Sequence, residues 1–514
     1  MNVRKLLRRS AQFYGTREAI IDGSRRVSFS EAWDRGIRFA NGLLALGLKP
    51  QERVGVLEDN CLESADAYLG LAIANLVRVP LYVGSSFEVH SHMLDQTNCR
   101  ALIASPNRLE EVRGIQEQLG GLEQLIVRDE GYEKWLFTQS NEIPDININP
   151  DDWFIIRHSG GTSGLPKGIG ITHRRWIFSM RDWFFLLPPI TPGDAFLHVS
   201  PMSHASGYMF LPVWAAGGRN IMHSSFEPAR CLQTMEHEKV NYIFVAPSEL
   251  NKLLQFSFSK KPTDWPYLKA LMSGGAPISS KVIHGIRNIF GDVLYQSYGQ
   301  TEVGIVSIGS PFQWKMENLA GSNPVLACGI PLHFVDLKIM DGDKTLPPGQ
   351  TGEIVVQTDG MMDNYWGQEN KKDYSQRGNW IHTGDMGKLD HNGFLYILGR
   401  KEDLITSGGI KLFPLVLENL ICSHPEILEA AVVGVPHSEF GEVALAYCVV
   451  KEHSSITEQE IRSLCRDKIN FDKMPFYVKI TTESLLKNNI GKVIRHSLQT
   501  LNTEKSNVLR GTEK

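Results

Sequence analysis

Strand-like apolar runs alternate with helical patterns through the first part of the chain, and this alternation restricts the fold more than any other feature. Arg53-Val54-Gly55-Val56-Leu57 reads as a buried strand, and residues 64–74 read as a helix. Val79-Pro80-Leu81-Tyr82-Val83 is extended again, and Arg100-Ala101-Leu102-Ile103-Ala104 is a further strand. Strand, helix, strand at this spacing implies a parallel sheet covered by helices. The pattern returns at Tyr242-Ile243-Phe244-Val245-Ala246 and at Ala270-Leu271-Met272.

The texture changes after about Pro324. Val335-Asp336-Leu337-Lys338-Ile339 alternates and meets an Asp341-Gly342 turn; Gly352-Glu353-Ile354-Val355-Val356 alternates too. An Asn392-Gly393 turn leads into Phe394-Leu395-Tyr396-Ile397-Leu398-Gly399. These segments predict antiparallel strands of a small barrel or sheet. From about Arg400 a helix over 414–421, strands over 430–435 and 444–450 and a helix over 458–470 predict a compact α+β unit of about a hundred residues, the size of a separate domain. The expected organisation is therefore α/β. Residues 1–399 form a large N-terminal domain of parallel, helix-covered sheets, with an antiparallel β-barrel-like subdomain at about 325–399, and residues 400–514 form a second domain. A length of 514 residues suits more than one folding unit.

Composition narrows the function. Lys and Arg number 53 against 57 Asp and Glu, a net charge of -4, so the basic excess of a dedicated nucleic-acid binder is missing. No apolar run reaches the ~20 residues of a membrane helix. The basic residues 1–9 lead into no apolar signal core, so a cytoplasmic protein without a transmembrane segment is expected. Seven cysteines, Cys61, Cys99, Cys231, Cys328, Cys422, Cys448 and Cys465, are odd in number and far apart. That spacing suits neither a zinc site nor a disulfide framework.

The segment richest in chemistry is Ser159-Gly160-Gly161-Thr162-Ser163-Gly164-Leu165-Pro166-Lys167-Gly168, entered from the apolar run Trp153-Phe154-Ile155-Ile156. Glycines let backbone N–H groups converge on an anion, hydroxyls add donors, and Lys167 adds a point charge. The combination suits a triphosphate. It departs from the GxxxxGK[ST] loop because no Ser or Thr follows the lysine.

This loop resembles the phosphate loop of the acyl-adenylate-forming, AMP-binding superfamily, in its acyl-CoA synthetase branch. Further segments carry the resemblance along nearly the whole chain. Tyr298-Gly299-Gln300-Thr301-Glu302 is similar to the family's aromatic-Gly-x-Thr-Glu, and Trp380-Ile381-His382-Thr383-Gly384-Asp385 to its Thr-Gly-Asp. Gly399-Arg400-Lys401-Glu402-Asp403 resembles its Gly-Arg hinge, and Asn489-Ile490-Gly491-Lys492-Val493 its C-terminal Gly-Lys. Each motif alone is common; their shared order is the signal.

The resemblance implies ATP-dependent activation of a carboxylic acid to an acyl-AMP, then transfer to the thiol of coenzyme A. Thr162, Ser163, Gly164 and Lys167 would hold phosphates. Gly274, Gly275, Ala276, Tyr298 and Gly299 would line the nucleotide site, and Asp385 and Arg400 would reach the ribose. Thr301 would donate to a phosphate oxygen, and Glu302, a hard carboxylate, would hold Mg²⁺. Lys492 would bridge the acid, the ribose and the α-phosphate. The second domain would be a mobile lid that rotates about the hinge between the half-reactions, where Glu402 stands in place of the family's usual Asp or Lys. Gly408 and Gly409 would give a pantetheine arm room to pass.

For the acid, the resemblance implies a pocket of His204, Ser206, Gly207, Val245 and Gly299, with Ala246, Pro247 and Ser273 nearby. No acidic residue stands at His204, where enzymes for α-amino acids place an aspartate, so an α-amino acid is disfavoured. Aromatic and aliphatic acids both stay open. So does the acceptor, which is CoA or the pantetheine of a separate acyl-carrier protein. A nucleotide-binding module without catalysis would not require Lys492, Glu302 and Asp385 together.

Overall fold

The computed structural model describes residues 1–159, 165–257, 259–316, 319–362, 364–367, 376–466, 475–487 and 493–499. Among these residues the strands gather into four sheets. The first runs in the order Gln124–Val127, Cys99–Ala104, Arg53–Leu57, Val77–Pro80, Trp153–His158, Gly168–Thr172. Its neighbours are parallel except for the final pair, which is antiparallel. The predicted strand at 79–83 begins earlier and ends at Pro80, and the predicted helix at 64–74 is Leu62–Ile73.

The second sheet has nine strands. Its parallel part contains Glu18–Asp22, Arg219–Met222, Ala195–His198, Tyr242–Phe244, Ala270–Gly274 and Leu294–Gln300. Gly304–Gly309 and Ile330–Pro331 continue one edge antiparallel. The large sheet therefore reaches past residue 325, where the change of texture placed a boundary. The third sheet, built on Val335–Asp341, Gly352–Thr358, Trp380–Leu389 and Leu395–Arg400, is antiparallel as predicted. Its ladder stays open among the described residues and does not close into a barrel. The fourth contains Ile405–Ser407, Ile410–Leu412, Ile427–His437, Gly441–Val450 and Phe476–Thr481, beside the helix Pro414–Ile421. The helix predicted at 458–470 is Glu458–Cys465 among the described residues.

Local chemistry places the layers. Ser28 caps the helix Phe29–Ala45 by a reciprocal pair: its Oγ accepts from Glu31 N at 3.2 Å, and Glu31 Oε2 accepts from Ser28 N at 2.8 Å. That helix lies so close to Leu62–Ile73 that a Cβ on Gly70 would fall 2.6 Å from Phe39 Cδ1. Between the two large sheets an aromatic core forms: Trp176 Nε1 donates to Tyr68 Oη at 2.8 Å, and Phe154 meets Tyr68 edge-on at 5.8 Å. This core holds the ends of Trp153–His158 and Leu294–Gln300 in one region. The cysteines are unpaired, and Cys99, Cys231, Cys448 and Cys465 are buried. Among the described residues no helix is long and apolar enough to cross a membrane.

Several histidines are packed inside. Burial pushes the imidazoles of His173 and His198 down to about 4 and that of His158 down to about 3. The unfolded chain takes these protons near the ordinary value of 6.5. As pH falls through that window the unfolded chain binds more protons, so stability falls by ~1.4 kcal/mol per pH unit for each histidine. The guanidinium midpoint should therefore drop from neutral pH to about pH 4.5, and His198→Gln should make the descent shallower. A midpoint independent of pH over this range would contradict the buried neutral state.

Candidate active site

The base of the glycine-rich loop is pinched shut by backbone. Ser159 N donates to Lys167 O at 2.9 Å, and Lys167 N donates to Ser159 Oγ at 3.2 Å. Thr162, Ser163 and Gly164 lie outside the described residues, as does Lys492. Lys167 Nζ sits 4.6 Å from the centre of the Tyr365 ring, whose hydroxyl donates to Glu302 Oε1 at 3.1 Å. The segment around Tyr365 is tied to both sides. Trp366 N donates to Gly168 O at 2.8 Å, and Met362 N donates to Glu302 O at 2.8 Å. Lys167 and Glu302, far apart in sequence, thus share one tyrosine. No motif marked Tyr365; the connection exists only because the chain folds back.

Asp385 is the most heavily engaged carboxylate of the region. Tyr298 Oη and Gln300 Nε2 each donate to its Oδ2 at 2.7 Å, and Arg400 Nε lies 3.1 Å from its Oδ1. Asp385 and Arg400 are cross-strand partners in the third sheet, which sets them side by side. Gln300 Nε2 and Arg400 Nη1 also donate to Thr383 O, at 2.9 and 3.1 Å. Burial, with the charge of Asp385 beside it, lifts the Tyr298 phenol well above its ordinary range, so it stays a donor. Gln300 occupies the unspecified position of its motif, and its identity carried no signal in the sequence. Next to this group, Lys401 N donates to Gly384 O at 2.8 Å and Lys401 Nζ meets Glu353 Oε2 at 2.9 Å. Asp403, just past Glu402, lies 3.3 Å from Arg495 Nε.

The glycines expected to leave space for ligands are first required by the backbone. A Cβ on Gly299 would lie 2.1 Å from Gly304 O and 2.9 Å from Ile305 Cα, because the pairing of Leu294–Gln300 with Gly304–Gly309 shifts register between Tyr298 and Gly299. Room for substrate is therefore not what excludes a side chain at Gly299. Gly274 is similar, with a Cβ 2.4 Å from Ser297 Oγ, while Gly275 turns at φ +86° with open space before it. Ala276 follows, and this turn leaves the carboxyl end of a parallel strand, where open α/β sheets take their ligands. Gly408 and Gly409, at φ +53° and +83°, make the two-residue turn between Ile405–Ser407 and Ile410–Leu412. That hairpin explains the pair without a thiol passage.

Four of the residues expected around the acid serve the packing. Ser206 is fully buried and its Oγ lies 2.7 Å from His198 Nδ1, whose Nε2 lies 2.9 Å from Asn220 Oδ1. A Cβ on Gly207 would lie 2.1 Å from Met202 O. Val245 packs with Ile243 and Leu271, on the face opposite Tyr242 and Phe244, because side chains alternate along the strand. Gly299 joins them for the reason just given. His204 is placed differently: its ring meets Tyr82 edge-on at 5.8 Å, just before the turn Ala205–Tyr208. Tyr208 stacks on Trp176 at 5.0 Å with 20° between the planes. Tyr82, Tyr208 and Arg157, whose guanidinium lies 4.3 Å from the Tyr208 ring centre, were not legible as site residues.

The AMP-binding enzyme family model matches residues 7–366, and the AMP-binding enzyme C-terminal domain model matches residues 416–492. The chain belongs to the AMP-binding enzymes. A feruloyl-CoA synthase of Amycolatopsis is 27% identical over 480 residues, spanning 93% of this chain and 94% of that protein. ScoC of Streptomyces coeruleorubidus, a fatty acid–[acyl-carrier-protein] ligase, is 26% identical over 506 residues, spanning 95% of this chain and 94% of that protein. Among solved structures, ATP-bound MatB from Rhodopseudomonas palustris shares the fold, with a TM-score of 0.88 and 24% identity over 98% of this chain and 99% of that one.

The register shift at Gly299 makes a test. Gly299→Ala puts a methyl against a backbone carbonyl that cannot move aside without breaking the ladder, a cost of about 1–3 kcal/mol. The variant should melt well below the parent in a thermal scan. An unchanged melting temperature would return Gly299 to a purely ligand-facing role.

Proposed function

We propose that this chain is an AMP-forming acid–thiol ligase: it activates a carboxylic acid with ATP and passes the acyl group to the thiol of CoA. The observation that carries this reading is the Asp385 cluster, in which Tyr298, Gln300 and Arg400 converge on a single buried carboxylate. Held rigid in this way, Asp385 suits the two hydroxyls of a ribose, with Arg400 beside it. Lys167 and the loop containing Thr162, Ser163 and Gly164 suit the phosphates, and Thr301 adds a hydroxyl donor. Magnesium fits the donor set: Glu302 is a hard oxygen ligand steadied by Tyr365, and it would hold an ion that offsets phosphate charge.

In the first half-reaction a carboxylate oxygen attacks the α-phosphorus, the bond to the β-phosphate oxygen breaks, and pyrophosphate leaves. Two anions must meet, so the cationic side chains stabilise the charge that develops. In the second, a thiolate attacks the acyl carbon and AMP departs. Lys492 serves the first step, and rotation of the C-terminal unit about Arg400–Glu402 withdraws it for the second. ATP and CoA are cytoplasmic substrates, and the reading places the enzyme there. The carrier-protein acceptor remains as the second reading, favoured by the resemblance to ScoC. Turnover with CoA against turnover with a pantetheinylated carrier separates the two.

Acid-dependent exchange of pyrophosphate into ATP, run across a panel of acids, tests the reading, and no exchange with any acid would refute it. Lys492→Ala should abolish this exchange while sparing much of the thioester step from a supplied acyl-adenylate. Equal loss of both would refute the two-conformation scheme. Asp385→Ala removes charge-assisted acceptors of about 1.5–3 kcal/mol each and should raise the KM for ATP by about ten- to a hundredfold. An unchanged KM in a folded variant would remove Asp385 from the nucleotide site.

A further inference from the structure

Two buried arginines elsewhere in the fold are ion-paired. Arg35 meets Asp66 at 2.6 Å, and Arg128 meets Glu58. Arg157 differs. It is 3% exposed, its Nη2 donates to Ser203 O at 3.3 Å, and its Nε and Nη1 have no acceptor among the described residues. An unpaired cation in a low-dielectric interior is costly to keep, and such groups are normally paired or bound to a ligand.

Its surroundings say where a ligand would lie. Along Trp153–His158, Arg157 shares a face with Ile155, which looks into the aromatic core of Tyr68, Trp176 and Met202, away from the neighbouring Ile156. The Tyr208 ring covers the guanidinium on one side, and Ser203, which accepts its one hydrogen bond, precedes His204. Tyr82 meets His204 edge-on at 5.8 Å, and its hydroxyl donates to the carbonyl of His158, the residue after Arg157. Ile305, the cross-strand partner of Gly299, packs in the same cluster as Tyr208. Arg78, also buried, lies over Tyr68 at 5.4 Å and is pushed down to about 10 by burial, with the charge of Arg157 contributing. Among the described residues no acidic side chain pairs with Arg157.

We propose that Arg157 anchors a second carboxylate of the acid substrate, so that the chain activates a dicarboxylic acid, one carboxylate reacting near Thr301 and the other held by the guanidinium. This rests on the ligase reading above and deepens it. A planar guanidinium presents its donors in a fork that matches a carboxylate, and the buried setting strengthens the pair. A monocarboxylic acid of the same length would leave an apolar end against an unpaired cation, which disfavours it in the way any site rejects an analogue lacking its polar partner.

The test is pyrophosphate exchange with matched acids: adipate against hexanoate, glutarate against pentanoate, and isophthalate against benzoate. The native enzyme should prefer at least one diacid over its partner by about ten- to a hundredfold in kcat/KM. Arg157→Gln should collapse that ratio toward unity, and Arg157→Lys, which keeps the charge and loses the fork, should keep part of it. A native preference for the monoacid in every pair would overturn the proposal without any variant. So would a diacid preference that survives Arg157→Gln, or a variant whose defect is a raised KM for ATP. Exchange with none of the acids tried, in a panel extended to other monoacids, overturns the ligase reading itself, whereas robust exchange with monoacids alone overturns only the role given to Arg157.

Discussion

The carboxylate of Asp385 ties together three separate parts of the chain. Tyr298 and Gln300 come from the last parallel strand of the nine-stranded sheet, Asp385 from the third sheet, and Arg400 from the strand that ends just before the C-terminal unit. A buried carboxylate is tolerated only when its oxygens are satisfied, and here the donors are supplied by both sheets. That requirement acts together with the apolar cluster that Val303 and Val306 share with Ile354, Val356 and Ile381 to bring the third sheet to the second. It also positions Lys401, whose backbone bonds Gly384 and whose side chain meets Glu353, at the start of the connection to the C-terminal unit. The Asp385 cluster and the start of that connection are in this sense one structure.

A second constraint is the close approach of backbones. Gly299 against Gly304, Gly207 against Met202 and Gly274 against Ser297 leave no room for a side chain, and each lies on an element bordering the site. Glycine is there because chains touch. Tyr365 illustrates the opposite case, a large side chain that reaches across: it carries Lys167 on its face and Glu302 on its hydroxyl. The two together explain how the end of the glycine-rich loop and a carboxylate far along the chain come to lie side by side.

Much of the parallel architecture was legible beforehand, because buried strands are continuous apolar runs and their crossover helices carry a different period. The helix Pro414–Ile421 and the strand Arg53–Leu57 follow their sequence signals residue for residue. The misjudged features share a cause. Residue 325 marked a change of pattern, yet Ile330–Pro331 pairs with Gly304–Gly309 because edge pairing depends on which backbone is free, and hydropathy does not record that. Val245 was expected in the pocket from the resemblance, but the alternation along its strand turns it into the core behind.

Sequence alone determined the order of the chemical groups: a glycine-rich loop with Lys167, the pair Thr301 and Glu302, Asp385, Arg400, and Lys492 near the end. Those residues were legible because their type, spacing and shared order resemble the motifs of one family, which implies a phosphate, a ribose and a metal ion as their ligands. What only the tertiary structure decided is their support, Gln300 and Tyr298 on Asp385 and Tyr365 between Lys167 and Glu302, and the burial of Arg157 beneath Tyr208. An arginine reads the same in a sequence whether water, a carboxylate or nothing faces it. Burial and the positions of neighbouring acceptors distinguish these cases, and both arise when distant segments pack.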